Sequence, residues 1–328
     1  MTAIAVPARR RARRVPTTPR YVAGRIGQAI LVLVGVTTIV FFALRLSGDP
    51  ARLLVPEGGT AADIDRVREQ LGLNDSLWHQ YLSFLGNAAQ GDLGYSYVQN
   101  RPAAALIAER LPYTANLAVA ALILSLLFGV TVGMITAVKR GRWQERVLMP
   151  VVLVGQAMPA FWTGLLLVLV FSVGLRWLPS TGYDGPLSLI LPSVTLASLS
   201  AAALARVTRG AVLEQLSQDY IRTARAKGAG TARLIVRHLA RNTAIPVLTV
   251  GALELANLLG GAVVTEVIFA WPGIGQLTIQ SVAARDFPVV QAIVLFASAV
   301  YIVINLVTDL LYGVIDRRVA GGLMGGAA

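Results

Sequence analysis

The chain has 328 residues, of which 55% are hydrophobic and only 14% charged, with a formal net charge of +12 and no cysteine. That balance is too apolar for a water-soluble domain of this length and reads as a polytopic membrane protein. Without cysteine there is no disulfide framework, thiolate metal site or cysteine nucleophile. The basic excess would suggest nucleic acid in a soluble protein, but here its placement along the chain argues for none.

A bilayer core needs roughly 20 apolar residues per spanning helix. Six stretches meet that length: Ile26–Leu46, Leu117–Val138, Val147–Val173, Leu189–Leu204, Ala244–Ile268 and Val289–Tyr312. The fourth is short and can run on into Arg206. Residues 1–25 form a basic segment carrying Arg9, Arg10, Arg11, Arg13, Arg14, Arg20 and Arg25. Paired arginines ahead of an apolar run resemble an export signal, yet the run is too long and no small-residue cleavage site follows Leu46.

Residues 47–112 are too long for a simple connection and read as a small extracytoplasmic subdomain, in which Glu57, Asp63, Asp65, Glu69, Asp75, Asp92 and Glu109 offset the arginines. Asp63 to Leu71 predicts a short polar helix stopped by Gly72. Leu77 to Leu85 is amphipathic, with Leu77, Tyr81, Phe84 and Leu85 on one face, suited to the membrane surface, the bundle or a partner.

The remaining spans form a core over residues 113–316 with a tail at 317–328. Lys139, Arg140, Arg142 and Arg146 fill the loop between spans two and three. Arg206, Arg209, Arg222, Arg225, Lys227, Arg233, Arg237 and Arg241 lie in the loop 206–242, and Arg317 and Arg318 follow the last span. Six spans put all of these on one side. The positive-inside rule therefore predicts a multi-pass membrane protein with both termini cytoplasmic. The opposite loops are punctuated by proline and glycine at 175–188 and at Trp271-Pro272-Gly273-Ile274-Gly275, where the aromatic residue reads as an interface anchor or, second, as a solute contact. No internal repeat marks inverted halves, and Gly260 and Gly261 read as sites of close helix packing.

The segment from Leu213 to Gly230 is unlike an ordinary loop. Asp219 can cap a helix, good helix formers follow, and Gly228 supplies the left-handed residue that ends it. The predicted helix of about two turns needs docking to be stable. Thr223, Ala224 and Ala226 are small enough to let another backbone approach, while Arg222, Arg225 and Lys227 add charge at the rim; Tyr220 lies among them. Thr231 reads as the cap of a second helix, along which Arg233, Arg237 and Arg241 form a basic stripe facing a partner or anionic lipid.

The run Asp219-Tyr220-Ile221-Arg222-Thr223-Ala224-Arg225-Ala226-Lys227-Gly228, followed by Arg237-His238-Leu239-Ala240-Arg241-Asn242, closely resembles the cytoplasmic loop of the dipeptide/oligopeptide/nickel permeases of ABC importers. Ser47-Gly48-Asp49-Pro50, Leu71-Gly72-Leu73, Gly91-Asp92-Leu93-Gly94, Arg110-Leu111-Pro112, Phe269-Ala270-Trp271-Pro272-Gly273 and Asn305 to Asp316 fit that family in order. The resemblance implies an all-α permease of the type I importer fold with six transmembrane helices. Its implied partners are a homologous second permease, two cytoplasmic ATP-binding subunits or domains and an extracytoplasmic solute-binding protein. It also places Arg222–Gly228 at the family's Glu-Ala-Ala…Gly signature, which seats in the ATPase. The match there is partial: Arg222 and Thr223 replace Glu and Ala, Arg241 replaces the closing Pro, and Ala224 and Gly228 agree.

A Walker motif needs Gly-Lys followed by a hydroxyl residue, and neither Lys139 nor Lys227 stands in that setting. ATP hydrolysis is therefore expected on other subunits, with no cofactor and no catalytic or metal site on this chain. His79 and His238 fall on opposite sides and cannot share a metal. Polar groups within spans are costly enough to mark function. Glu254, Asn257, Glu266, Asn305 and Asp309 either line a path for a zwitterionic solute or pair within the bundle. The reading is an importer permease for di- or oligopeptides. Nickel or another small solute, and an ATP-independent secondary transporter, are the alternatives.

Overall fold

The computed structural model describes residues 19–46, 48–49, 51, 55, 60–70, 72–235 and 239–315. The arginines from Arg9 to Arg14, Arg237, His238, Arg317 and Arg318 lie outside the described residues.

Among the described residues the regular structure is helical apart from one small hairpin. Helix α1 (Pro19–Leu46) leads to α2 (Ala61–Gln70) and α3 (Leu77–Ala89). As expected, Gly72 at φ +65° stops the polar helix. Strands β1 (Tyr95–Ser96) and β2 (Arg101–Pro102) pair antiparallel, and α4 (Ala103–Val138) follows directly. After α4 come α5 (Trp143–Ala157), α6 (Ala160–Leu167) with a π-helical extension Val168–Gly174, and α7 (Ile190–Leu216). The short α8 (Asp219–Ala226) and α9 (Thr231–Leu234) precede α10 (Ala240–Ile268), α11 (Ile274–Ala283) and α12 (Phe287–Ile315).

Among the described residues, five helices are long and apolar enough to cross a membrane, or six where a bent pair is counted as one span. That pair bends the span expected over Val147–Val173. Trp143–Ala157 and Ala160–Gly174 meet at 108°. Met158 at the corner is extended and precedes Pro159, which has no amide hydrogen to continue the helix and disfavours helical geometry in the residue before it. The fourth span is also longer than Leu189–Leu204. Helix α7 runs to Leu216 because its arginines are tied to α5: Arg206 Nη1 donates to Gln156 Oε1 at 2.9 Å, and Arg209 Nε to Glu145 Oε1 at 3.1 Å.

Small residues bring α4 and α7 together. A Cβ on Gly129 would lie 2.8 Å from the Ala201 carbonyl oxygen, and one on Gly133 would lie 2.5 Å from that of Ala205. Without a hydrophobic driving force between helices in lipid, such close backbone packing supplies the association energy. Gly260, expected in this role, has no atom within 4 Å of a built Cβ.

Helix α3 packs on α1. Tyr81 is buried, its hydroxyl is 2.6 Å from that of Thr38, and its ring meets Phe41 edge-on at 5.3 Å. Leu77, assigned to the same face, is instead exposed.

At the hairpin end, Ala103, Leu106, Leu277 and Val289 gather α4, α11 and α12 into one buried cluster. At the other end, Ala137, Val212, Ile221, Leu234 and Leu239 form a second. The exposed Arg140, Arg142 and Arg146 follow Ala137 directly, so this is the basic end of the bundle.

Candidate functional site

Helix α8 is positioned by one buried side chain and one chain reversal. Ile221 is 1% exposed and inserts into the cluster of Ala137, Val212, Leu234 and Leu239. The reversal is a Schellman motif: the Ala229 amide donates to the Ala224 carbonyl at 3.0 Å, and the Gly228 amide to that of Arg225 at 2.9 Å. Gly228 sits at φ +79°, as the sequence predicts. Ala224 and Ala229 supply the apolar contact that accompanies this motif, both packing on the same cluster.

Two expectations for this segment are corrected. Asp219 is the first helical residue, and the cap is Gln218, which makes no side-chain cap bond. The Asp219 carboxylate still suits the positive end of the helix dipole. Ala224, expected at the docking face, turns inward. The outward face consists of Arg222, Thr223, Arg225, Ala226 and Lys227, all exposed. Arg222 lies 3.6 Å from Asp219 in an ion pair open to solvent, an arrangement worth little by itself. The Tyr220 hydroxyl donates to Gln215 Oε1 at 2.7 Å and accepts from Asn242 Nδ2 at 2.9 Å, linking α8 to α7 and α10.

Thr231 is likewise the first residue of α9, not its cap. Arg233 and Arg241 are exposed, on separate helices. Nothing in residue type singled out Ile221 as the anchor, although an isoleucine among polar neighbours three residues before Ala224 was the available signal.

The intramembrane polar residues do not form one group. Ser200 Oγ of α7 donates to Glu254 Oε2 of α10 at 2.6 Å, with Asn257 exposed one turn further along. Glu266 lies twelve residues beyond Glu254, about 18 Å along the helix. It is fully buried, accepting from Thr114 Oγ1 at 2.7 Å and from the Gln276 amide at 3.1 Å. Gln276 is the third residue of α11, so Glu266 satisfies an amide that the start of that helix leaves unpaired. Thr114 Oγ1 in turn accepts from the Ile274 amide at 2.8 Å.

The adjoining loop folds over Glu266. Trp271, expected as an interface anchor, is instead 0% exposed. Its indole Nε1 donates to the Tyr113 carbonyl at 3.0 Å, and its ring packs edge-on against Tyr183 at 5.2 Å. Asn305 is half-buried and lines a cleft of about 560 Å³ between α1 and α12 together with Gln28 and Tyr301. Asp309 lies in α12, one turn after Asn305. Among the described residues, no three histidine or acidic side chains are grouped as a metal site.

The sequence pattern of the family described as "Binding-protein-dependent transport system inner membrane component" matches residues 129–321, and its N-terminal counterpart matches residues 19–118. The chain is 45% identical over 300 residues to a glutathione transport system permease protein of Escherichia coli K12, covering 91% of this chain and 98% of that protein. The Shigella dysenteriae protein of the same name matches equally, at 45% identity and the same coverage. Among solved structures, a chain of the MetNI methionine ABC transporter superposes with a TM-score of 0.55 at 18% identity, covering 64% of this chain and 96% of that one, which shows the shared fold. The chain belongs to the binding-protein-dependent transport system inner membrane components and is the permease component of an ABC importer.

Proposed function

We propose that this permease carries short peptides of about the size of glutathione inward, pairing with a homologous second permease to form the pathway. Separate cytoplasmic ATP-binding subunits supply the energy, and an extracytoplasmic binding protein delivers the solute. The peptide assignment rests on the glutathione transport permeases at 45% identity. In this reading both termini and the loop 206–242 face the cytoplasm, and residues 47–112 face outward.

One observation carries the coupling role. Helix α8 is anchored from within by Ile221 while its outer face of Arg222, Thr223, Arg225, Ala226 and Lys227 stays uncovered. A helix of only 8 residues has little stability of its own. Its anchor makes it a lever: a push on the outer face passes through Ile221 to the ends of α4, α7 and α10. Closure of the ATP-binding subunits would then rock the spans as rigid bodies and switch access between sides.

The test is affinity purification of the tagged chain from mild detergent, repeated after deletion of Asp219–Gly228 and joined to uptake of radiolabelled glutathione. An ATP-hydrolysing subunit and a second permease should accompany the intact chain, and the ATP-hydrolysing subunit should be lost on deletion. Recovery of the chain alone in both cases, with uptake intact, would replace the reading with a secondary transporter.

A further inference from the structure

We propose that Glu254, with Ser200 and Asn257, forms a mid-membrane station that receives the ammonium group of an amine-bearing solute. The inference rests on the transport reading above and adds a chemical selection to it.

Glu254 stands at the centre of α10, a helix of 29 residues from Ala240 to Ile268, so about 21 Å of helix separates it from either end. One carboxylate oxygen accepts the Ser200 hydroxyl at 2.6 Å. Among the described residues no cation pairs with Glu254. The nearest arginine along α7 is Arg206, six residues from Ser200 or about 9 Å along the axis, and its guanidinium is engaged by Gln156. A hydroxyl donor needs only a neutral acceptor to join two helices. A carboxylate at this depth adds a desolvation cost that the α7–α10 contact does not explain.

The surroundings of Glu254 supply the explanation. Leu253, Asn257, Gly260, Val264 and Val267 are exposed and follow one another at intervals of four and three residues, so they form a single open stripe along α10. A Cβ built on Gly260 would meet nothing within 4 Å. Asn257 lies on this stripe one turn from Glu254, and residues three apart on a helix are neighbours. A primary amide and a half-buried carboxylate at mid-depth do not suit a face turned to hydrocarbon; they suit a wet passage. An ammonium group offers three donors and no acceptor. The free Glu254 oxygen and the Asn257 amide oxygen provide acceptors with negative charge, and the same site repels a carboxylate.

The absence of cysteine makes the test direct. Asn257→Cys introduces the chain's single thiol, to be labelled in membranes containing the assembled transporter with an ammonium-bearing or a sulfonate-bearing thiosulfonate reagent, and read on this chain alone. A free thiolate in solution already favours the ammonium reagent, so the readout is the excess over that ratio. At this cysteine the ammonium-to-sulfonate rate ratio should be about tenfold above the free-thiol value, and adding Glu254→Gln should return it to that value. No reaction with either reagent, or a rate ratio unmoved by Glu254→Gln, would overturn the station.

Uptake of glutathione and N-acetylglutathione by the assembled transporter then separates recognition from scaffolding. Glu254→Gln in the otherwise unchanged chain should lower uptake of the free amine and spare the acetylated form. Equal loss for both, matched by Ser200→Ala, would make Glu254 a helix-packing residue and overturn the proposal. Wild-type transporter that takes up neither peptide while the thiol result stands would instead overturn the peptide-import reading.

Discussion

The α-carbon of Gly273 lies against the carboxylate of Glu266 so closely that a methyl group there would fall inside the van der Waals envelope of both carboxylate oxygens. Gly273 has φ −97° and ψ −175°, an extended conformation open to any residue. Space, not backbone freedom, requires glycine.

Gly273→Ala should therefore force the loop off Glu266 and leave the Gln276 amide without its acceptor. Overpacking of this kind costs about 1–3 kcal/mol. The check is the thermal midpoint of the detergent-purified protein, which should fall clearly below that of Gly86→Ala. Gly86 lies in α3, where a Cβ meets nothing within 4 Å, and alanine there should be neutral or slightly stabilising.

Gly133→Ala tests the α4–α7 seam. The new Cβ would sit 2.5 Å from the Ala205 carbonyl oxygen and 2.6 Å from Thr208 Cβ, neither of which is the end of a flexible side chain. The helices must separate, again at about 1–3 kcal/mol. A thermal midpoint equal to wild type would show that this seam yields without cost.

The spans were legible because lipid-facing helices advertise themselves by composition alone. Their geometry was less so. An apolar run from Val147 to Val173 looks the same straight or bent, and only Pro159 hinted at the 108° corner. Helix α7 passed its expected end because Arg206 and Arg209 bond to residues 50 and 64 positions away. The α8 helix and Gly228 could be read locally, since a chain reversal needs a left-handed residue. Glu266 could not. Its principal hydrogen-bond partner, Thr114, is 152 residues distant, and residue type does not separate a buried acid that organises a loop from one that meets solute.

Gly228→Val and Gly228→Asn separate backbone conformation from side-chain contact. A Cβ at Gly228 meets no atom within 4 Å, so the φ of +79° is the sole obstacle to substitution. Valine resists that region by about 1–2 kcal/mol or more, whereas asparagine enters it. Uptake should fall several-fold in the valine variant at normal membrane insertion and stay near wild type with asparagine. Equal uptake by both would show that the reversal after α8 does not matter for coupling.

Ile221→Ala should release α8 from the bundle. Removing most of a side chain that is 1% exposed costs about 2–5 kcal/mol, more than so short a helix can replace. Hydrogen exchange at the amides of 221–228 should accelerate by at least an order of magnitude, with the amides of α4 unchanged. Unchanged protection across 221–228 would mean that the Tyr220 bridge to Gln215 and Asn242 holds the helix.

Asp286 gives a pH dependence whose sign can be stated. It lies in the turn between α11 and α12, is 3% exposed, and its carboxylate accepts the hydroxyl of the fully buried Ser96, fastening the hairpin to that turn. Burial raises its pKa above the ordinary 3.8, and the Ser96 hydrogen bond opposes the shift less strongly. The folded state thus holds this proton more tightly than the unfolded chain does. The stabilisation from holding it is fully present below the ordinary carboxylate value and is lost as pH rises through the raised pKa. Tyr97, the neighbouring titratable group, is shifted upward by burial and by the Asp286 charge, so it stays neutral throughout this range. Asp286→Asn should accordingly flatten the fall in thermal midpoint as pH rises above the ordinary carboxylate value, with the largest gain over wild type once pH has passed the raised pKa. The asparagine retains an oxygen to accept the Ser96 hydroxyl, so that fastening can persist while the charge is removed. Parallel midpoint curves for the two proteins would place the titration elsewhere.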